Sequence, residues 1–217
     1  MLRYVALGDS YAAGRPGDDH PPWPELVRRR LGWAGLEVEL VNLGVFGAVA
    51  AAVLEDQVEA GIEARPDVLT LVCGANDVML RLRPDVPAYE AALGGILARL
   101  TSGLPDTLIA TATYADFSRH SHFRPRSRKR VEEGVGAIND AIRRLSAEHG
   151  CTCVDINAHP GSRGEEVISD DGIHASAIGH ERTAHLVAET LWPRLMPDAP
   201  PFTVACSGGT LAAGRHA

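Results

Sequence analysis

Five short apolar runs alternate with segments of helical period, and this rhythm constrains the chain more than anything else in it. The runs are Tyr4-Val5-Ala6-Leu7 before Gly8, residues 37–43 before Gly44, residues 68–73 before Gly74, residues 107–113 and residues 152–156. The first, third and fourth are mostly continuous apolar stretches, as expected of strands buried on both faces. Between and after them lie predicted helices at 23–31, 50–64, 88–100, 130–149 and 177–195. In the fourth of these, Val131, Val135, Ile138, Ile142 and Leu145 recur at helical spacing. Strand alternating with helix predicts a parallel sheet covered on both faces, joined by right-handed crossovers. A chain of 217 residues suits one sizeable domain. We place it at residues 1–196. Residues 197–217, rich in Pro, Gly, Ala and Ser, are predicted to form a flexible or loosely packed tail.

Composition narrows the class of partner. Hydrophobic residues make up 45% and charged residues 23% of the chain, which is ordinary globular usage. The formal charge of −7 makes nucleic acid an unsuitable partner, because phosphate binding requires cations. Cys73, Cys151, Cys153 and Cys206 include no Cys-x-x-Cys pair, and they read as free thiols of a reducing compartment. No leader-like apolar stretch follows Met1, and no window of 18 apolar residues is present, so the expectation is a cytoplasmic protein without a membrane span. The expected partner is a small molecule. The sequence carries no sign of oligomeric state.

In an open parallel sheet, ligands bind beyond the carboxyl ends of the strands. Ser10 follows the first strand, the glycines at 44 and 47 follow the second, and Asn76 and Asp77 follow the third. Asp171-Gly172-Ile173-His174 precedes the final helix. These residue types are the parts of an acyl-transfer site. A serine hydroxyl needs a base to take its proton, and His174 can serve. An imidazole needs a carboxylate to fix its tautomer, and Asp171, three residues earlier, can reach it in one turn. Asp170 competes for that role. A tetrahedral oxyanion needs fixed donors, which the Ser10 amide, a glycine amide and the Asn76 side chain could supply.

These blocks give the chain its resemblance. Gly8-Asp9-Ser10-Tyr11-Ala12-Ala13-Gly14, Asn42-Leu43-Gly44-Val45-Phe46-Gly47-Ala48, Gly74-Ala75-Asn76-Asp77 and Asp171-Gly172-Ile173-His174 resemble, in order, the four blocks of the SGNH, or GDSL-type, serine hydrolase superfamily. The likeness covers about residues 3–195. It implies a three-layer α/β/α fold around a five-stranded parallel, flavodoxin-like sheet. It implies Ser10, Asp171 and His174 as catalytic residues, with Asp171 preferred to Asp170. Ser10, Gly47 and Asn76 are implied as the oxyanion hole, with Gly47 preferred to Gly44. Asp9 and Asp77 are read as loop-holding groups. The implied activity is metal-free and cofactor-free hydrolysis of a small or medium acyl ester through an acyl-enzyme. Thioester hydrolysis and acyl transfer remain alternatives, and a binding module without turnover is the reading from another class.

Two places depart from the pattern. Ala48-Val49 stands where many relatives carry a polar pair. The usual proline-rich segment after the fourth strand is replaced by Thr113-Tyr114-Ala115-Asp116-Phe117 and a basic stretch at 118–130, with six Lys or Arg, two histidines and no acid. That stretch reads as a solvated face leading into a helix, or as a lip that steers an anionic acyl donor. His120 and His122 lack a carboxylate or cysteine at ligand spacing, so they are read as loop residues and not as a metal site. Residues 14–24, 79–89 and 115–128 are the expected pocket walls. Trp23, Trp33 and Trp192 are expected to be core or helix-packing residues and not sugar-stacking platforms.

Overall fold

A computed structural model describes residues 1–119 and 123–203. Its five strands are β1 (Leu2–Gly8), β2 (Val38–Asn42), β3 (Val68–Val72), β4 (Leu108–Ala112) and β5 (Thr152–Val154). They form one parallel sheet in the order β2-β1-β3-β4-β5. The helices are α1 (Ser10–Ala13), α2 (Trp23–Trp33), α3 (Ala50–Asp56), α4 (Val58–Glu63), α5 (Ala75–Met79), α6 (Val86–Gly103), α7 (Pro125–Glu148) and α8 (Ala177–Leu195). Helices α2 and α8 pack together, while α3, α4, α6 and α7 form a second packed group. This is the expected α/β architecture of a parallel sheet flanked by helices. The chain order reverses between β1 and β3, which creates a crevice where the loops after those strands part.

Burial follows from the strand sequences. Every residue of β3 is buried, as are Tyr4–Leu7 of β1, so neither strand needs polar alternation. Trp23 is wholly buried and Trp192 nearly so, but Trp33 at the end of α2 is exposed and lies outside the core. Beyond α8, Phe202 is buried against Trp192, whose Nε1 donates to the Pro200 carbonyl at 2.9 Å. Residues 204–217, including Cys206, lie outside the described residues, as do His120 and His122. Cys73, Cys151 and Cys153 are free. Among the described residues, no helix is long and apolar enough to cross a membrane.

Two of the boundaries that differ from the sequence reading bear on the site. The helix expected at 50–64 breaks at Gln57, where φ is −112° and α3 hands over to α4. The break turns the buried Gln57 side chain onto Gly8: Oε1 accepts from the Gly8 amide at 2.8 Å, and Nε2 donates to the Gly8 carbonyl at 2.9 Å. Gly8 itself has φ +141°, and a Cβ there would lie 1.9 Å from the Val72 carbonyl oxygen. The helix expected from 130 instead starts at Pro125, since proline suits the first helical turn and the arginines after it are good helix formers.

Gln57→Leu leaves the buried Gly8 amide without its acceptor. It should lower the unfolding free energy by about 2–3 kcal/mol. Urea denaturation checks this, and a loss indistinguishable from zero would mean that Gly8 finds another partner.

Candidate active site

The nucleophile block is built by the exit from β1. Asp9 caps α1, its Oδ1 accepting from the Tyr11 amide at 2.9 Å. Its Oδ2 accepts from the Tyr114 hydroxyl at 2.7 Å. Tyr114 is in turn held by Asn139 of α7, which accepts from its amide at 2.8 Å and donates to its carbonyl at 2.9 Å. Asp9 is fully buried. Burial pushes its carboxyl up to about 6, against the pull of the Tyr11, Tyr114, Gly74 and Ala75 donors. Ser10 is thus the first residue of a helix that is fixed from below. Its amide, at the first helical position, has no intrahelical acceptor.

The Asp171–His174 turn is closed by an antiparallel bridge between Ile168 and Ala175. The Ser169 amide donates to the His174 carbonyl at 2.8 Å, and Ser176 then caps α8 by accepting from the Gly179 amide at 3.1 Å. Inside the turn, Asp171 Oδ1 accepts from the Ile173 and His174 amides, each at 2.9 Å, and from the Ser169 hydroxyl at 2.8 Å. Asp171 Oδ2 lies 2.7 Å from His174 Nδ1. Burial raises the Asp171 carboxyl, but the donors from His174, Ile173 and Ser169 outweigh it and hold the group well below the ordinary carboxylate range. With Nδ1 on Asp171, Nε2 is the ring nitrogen turned away from that carboxylate.

Two other residues reach this turn, and the sequence reading did not single them out for the site. Arg15 Nη1 lies 3.1 Å from Asp171 Oδ2 and 3.1 Å from Asp170 Oδ1, while its Nε binds Asp18 Oδ1 at 2.8 Å. Asp170 therefore faces Arg15, and it is Asp171 that faces the imidazole. Phe46 stacks on the His174 ring with centroids 5.4 Å apart and planes 22° apart. Neither contact has a local signal: Arg15 meets Asp171 across 156 positions of chain.

The loop after β2 is tied to the loop after β3. Asn76 Nδ2 donates to the Ala48 carbonyl at 2.9 Å, and Asp77 Oδ2 accepts from the Ala50 amide at 3.0 Å. The two candidate glycines separate here. The Gly44 amide donates to Asn42 Oδ1 at 3.0 Å, and a Cβ at Gly44 would press on the Ala13 amide at 2.8 Å. Gly47 has φ +83° with open space on its Cβ side, and no hydrogen bond from its amide occurs among the described residues. Asp9 and Asp77 hold loops, as expected.

Ser10 and His174 line one crevice of roughly 660 Å³ that opens to solvent. Its walls are mainly apolar, with Tyr114, Phe117, Ile156, Val167, Ile173 and Leu186 among them. Of the expected walls, 115–128 contributes Ala115 and Phe117, but 14–24 and 79–89 contribute nothing. The segment after β5 and the first turns of α8 take their place, because the sheet ends at β5 and the chain must cross its carboxyl edge to reach α8. Among the described residues, no cluster of three or more His, Cys, Asp or Glu could hold a metal ion.

A family model described as the GDSL-like lipase/acylhydrolase family matches residues 6–182. A search of curated proteins returns no match. Among solved structures, the chain is similar to a lipase/acylhydrolase from Enterococcus faecalis, at 26% identity over 92% of this chain and 100% of that one, with a TM-score of 0.72. It is similar in fold to the lipase Lip_vut3 from a goat rumen metagenome, at 18% identity over 88% and 97% of the two chains, with a TM-score of 0.73. It is also similar in fold to Axe2, an acetylxylan esterase from Geobacillus stearothermophilus, at 17% identity over 90% and 94%, with a TM-score of 0.67.

The raised Asp9 carboxyl has a consequence for stability. A folded-state value above the unfolded one means that the native state holds the extra proton between about pH 4 and 6. Stability from this group is therefore present below about pH 4 and is lost as pH rises through about 6. Carbon-13 NMR titration of labelled aspartates should find one carboxyl near pH 6, and an Asp9 midpoint at the ordinary value would refute the burial argument.

Proposed function

Because the chain belongs to the GDSL-like lipase/acylhydrolase family, and is therefore an ester hydrolase, we propose that it works as a serine esterase through Ser10, His174 and Asp171. The observation that carries this reading is the 2.7 Å contact between Asp171 and His174 Nδ1, made on the crevice that Ser10 also lines. Asp171 fixes the imidazole with Nδ1 protonated, and Nε2 takes the proton of the Ser10 hydroxyl as Oγ attacks the ester carbonyl. The oxyanion that forms is met by the Ser10 and Gly47 amides and the Asn76 side-chain amide. Collapse breaks the bond to the alcohol, which leaves with the proton from His174. Water then attacks the acyl-Ser10 ester by the same steps, releasing the acid and restoring the hydroxyl.

The apolar crevice beside Ser10 suits a small or medium acyl chain. The same residues serve a thioester equally well, because only the leaving group changes. Acyl transfer to another alcohol differs only in what replaces water.

Ser10→Ala should abolish fluorophosphonate labelling and lower turnover of p-nitrophenyl esters by about 10⁴-fold or more. Asn76→Ala should lower kcat by about 10²–10³-fold with little change in KM. Turnover that survives Ser10→Ala would overturn the assignment. The acyl length giving the highest kcat/KM measures the crevice, and a parallel thioester series separates the leaving groups.

A further inference from the structure

Seven large apolar residues are exposed among the described residues, and four of them sit on the two loops that carry Gly47 and Asn76. Val45 and Phe46 immediately precede Gly47. Leu80 closes α5, its amide donating to the Asn76 carbonyl at 3.0 Å. Leu82, two residues on, is 92% exposed. Phe46, half exposed, stacks on His174, so this apolar rim begins at the imidazole itself.

Cations interleave with the rim and extend it. Leu80-Arg81-Leu82-Arg83 alternates exposed leucine with exposed arginine. The first turns of α7 lie against this loop: Arg130 donates to the carbonyls of Val78 (2.8 Å) and Arg81, and Gly134 packs on Val78 and Pro84. Arg124, Arg126, Arg128 and Lys129 are exposed there. No acid occurs in residues 78–84 or 123–131, in a chain whose net charge is −7. A basic face with protruding leucines and a phenylalanine complements a surface that is anionic outside and apolar a few ångströms in.

We propose that this rim docks on an anionic lipid surface, from which an amphiphilic acyl ester enters the crevice at Ser10. The destination of the ester rests on the serine esterase reading, whereas the docking does not. The exposed cations at 81–83 and 124–129 thereby gain a role: they hold the mouth of the site against lipid, with Phe46 placed where a lipid tail would pass His174.

The test is flotation of the full chain with vesicles of phosphatidylcholine alone and of phosphatidylcholine containing phosphatidylglycerol. Wild type and Ser10→Ala should both bind the anionic vesicles at low salt, bind the neutral ones far less, and detach as salt rises. Each reversal among Arg83→Glu, Arg126→Glu and Arg128→Glu should weaken binding by about fivefold or more. Leu82→Ser should weaken it further, while turnover of soluble p-nitrophenyl butyrate stays at the wild-type level in all four. Failure of wild type to float with anionic vesicles overturns the proposal, as does binding that ignores salt. Charge reversals that raise KM for a soluble anionic acyl thioester, without any vesicle binding, would assign the arginines to a soluble donor instead. A failed serine assignment shows up separately, as turnover surviving Ser10→Ala with vesicle binding intact.

Discussion

The chain leaves β1 through a residue that can carry no side chain. At Gly8 a Cβ would occupy the position of the Val72 carbonyl oxygen on the neighbouring strand. The backbone there is therefore pressed against β3, and Gln57 closes over both its polar groups. Everything that acts at the site is placed relative to this point. Asp9 is driven into the interior, Ser10 opens α1 at the edge of the crevice, and the Val45 amide reaches back to the Gly8 carbonyl at 3.0 Å. The loop bearing Gly47 is thus bound to the residue two positions before Ser10. Ser10 and the Gly47 loop share one anchor, which suits the proposed chemistry, since that depends on preorganised donors.

Much of the fold was legible because parallel strands announce themselves as unbroken apolar runs, and because the reactive residues stand directly after them. Val68-Leu69-Thr70-Leu71-Val72 could be little else than a buried strand, and Asn76 then had to lie at its carboxyl end. The Asp171–His174 contact was legible for a different reason: three residues and one turn are all that it needs. What escaped was set by tertiary contacts. Nothing in the apolar pattern of residues 50–64 marks Gln57, because its break in the helix is stabilised by Gly8, 49 positions away. Arg15 looks like any loop arginine until Asp171 is folded beside it. Trp33 follows the helical pattern into α2 but falls on the outer side of its last turn, where the core has ended. The crevice walls escaped as well. The segment between β5 and α8 has no period to read, yet it lies against Ser10 because the sheet stops at β5.

The mouth of the site is asymmetric. On the β4 and β5 side, apolar groups are concealed in the crevice, where an acyl chain can be buried. On the β2 and β3 side they are displayed outward among arginines. On the proposed reading, an amphiphilic ester would meet both kinds of surface on either side of the same imidazole, and its docking and its chain-length selection would be carried by different loops.

Arg15 also links two loops through a single cation. Asp18, Asp170 and Asp171 all turn toward its guanidinium, which leaves fewer positive charges than negative ones at that corner. Were the segment bearing Arg15 to swing away, Asp170 and Asp171 would lose the cation they share, while Asp171 would keep its bonds to Ser169, Ile173 and His174. The turn that carries His174 and the loop that carries Arg15 are therefore tied at one guanidinium. Substitutions in that loop would loosen the turn behind His174 without touching any residue that lines the crevice.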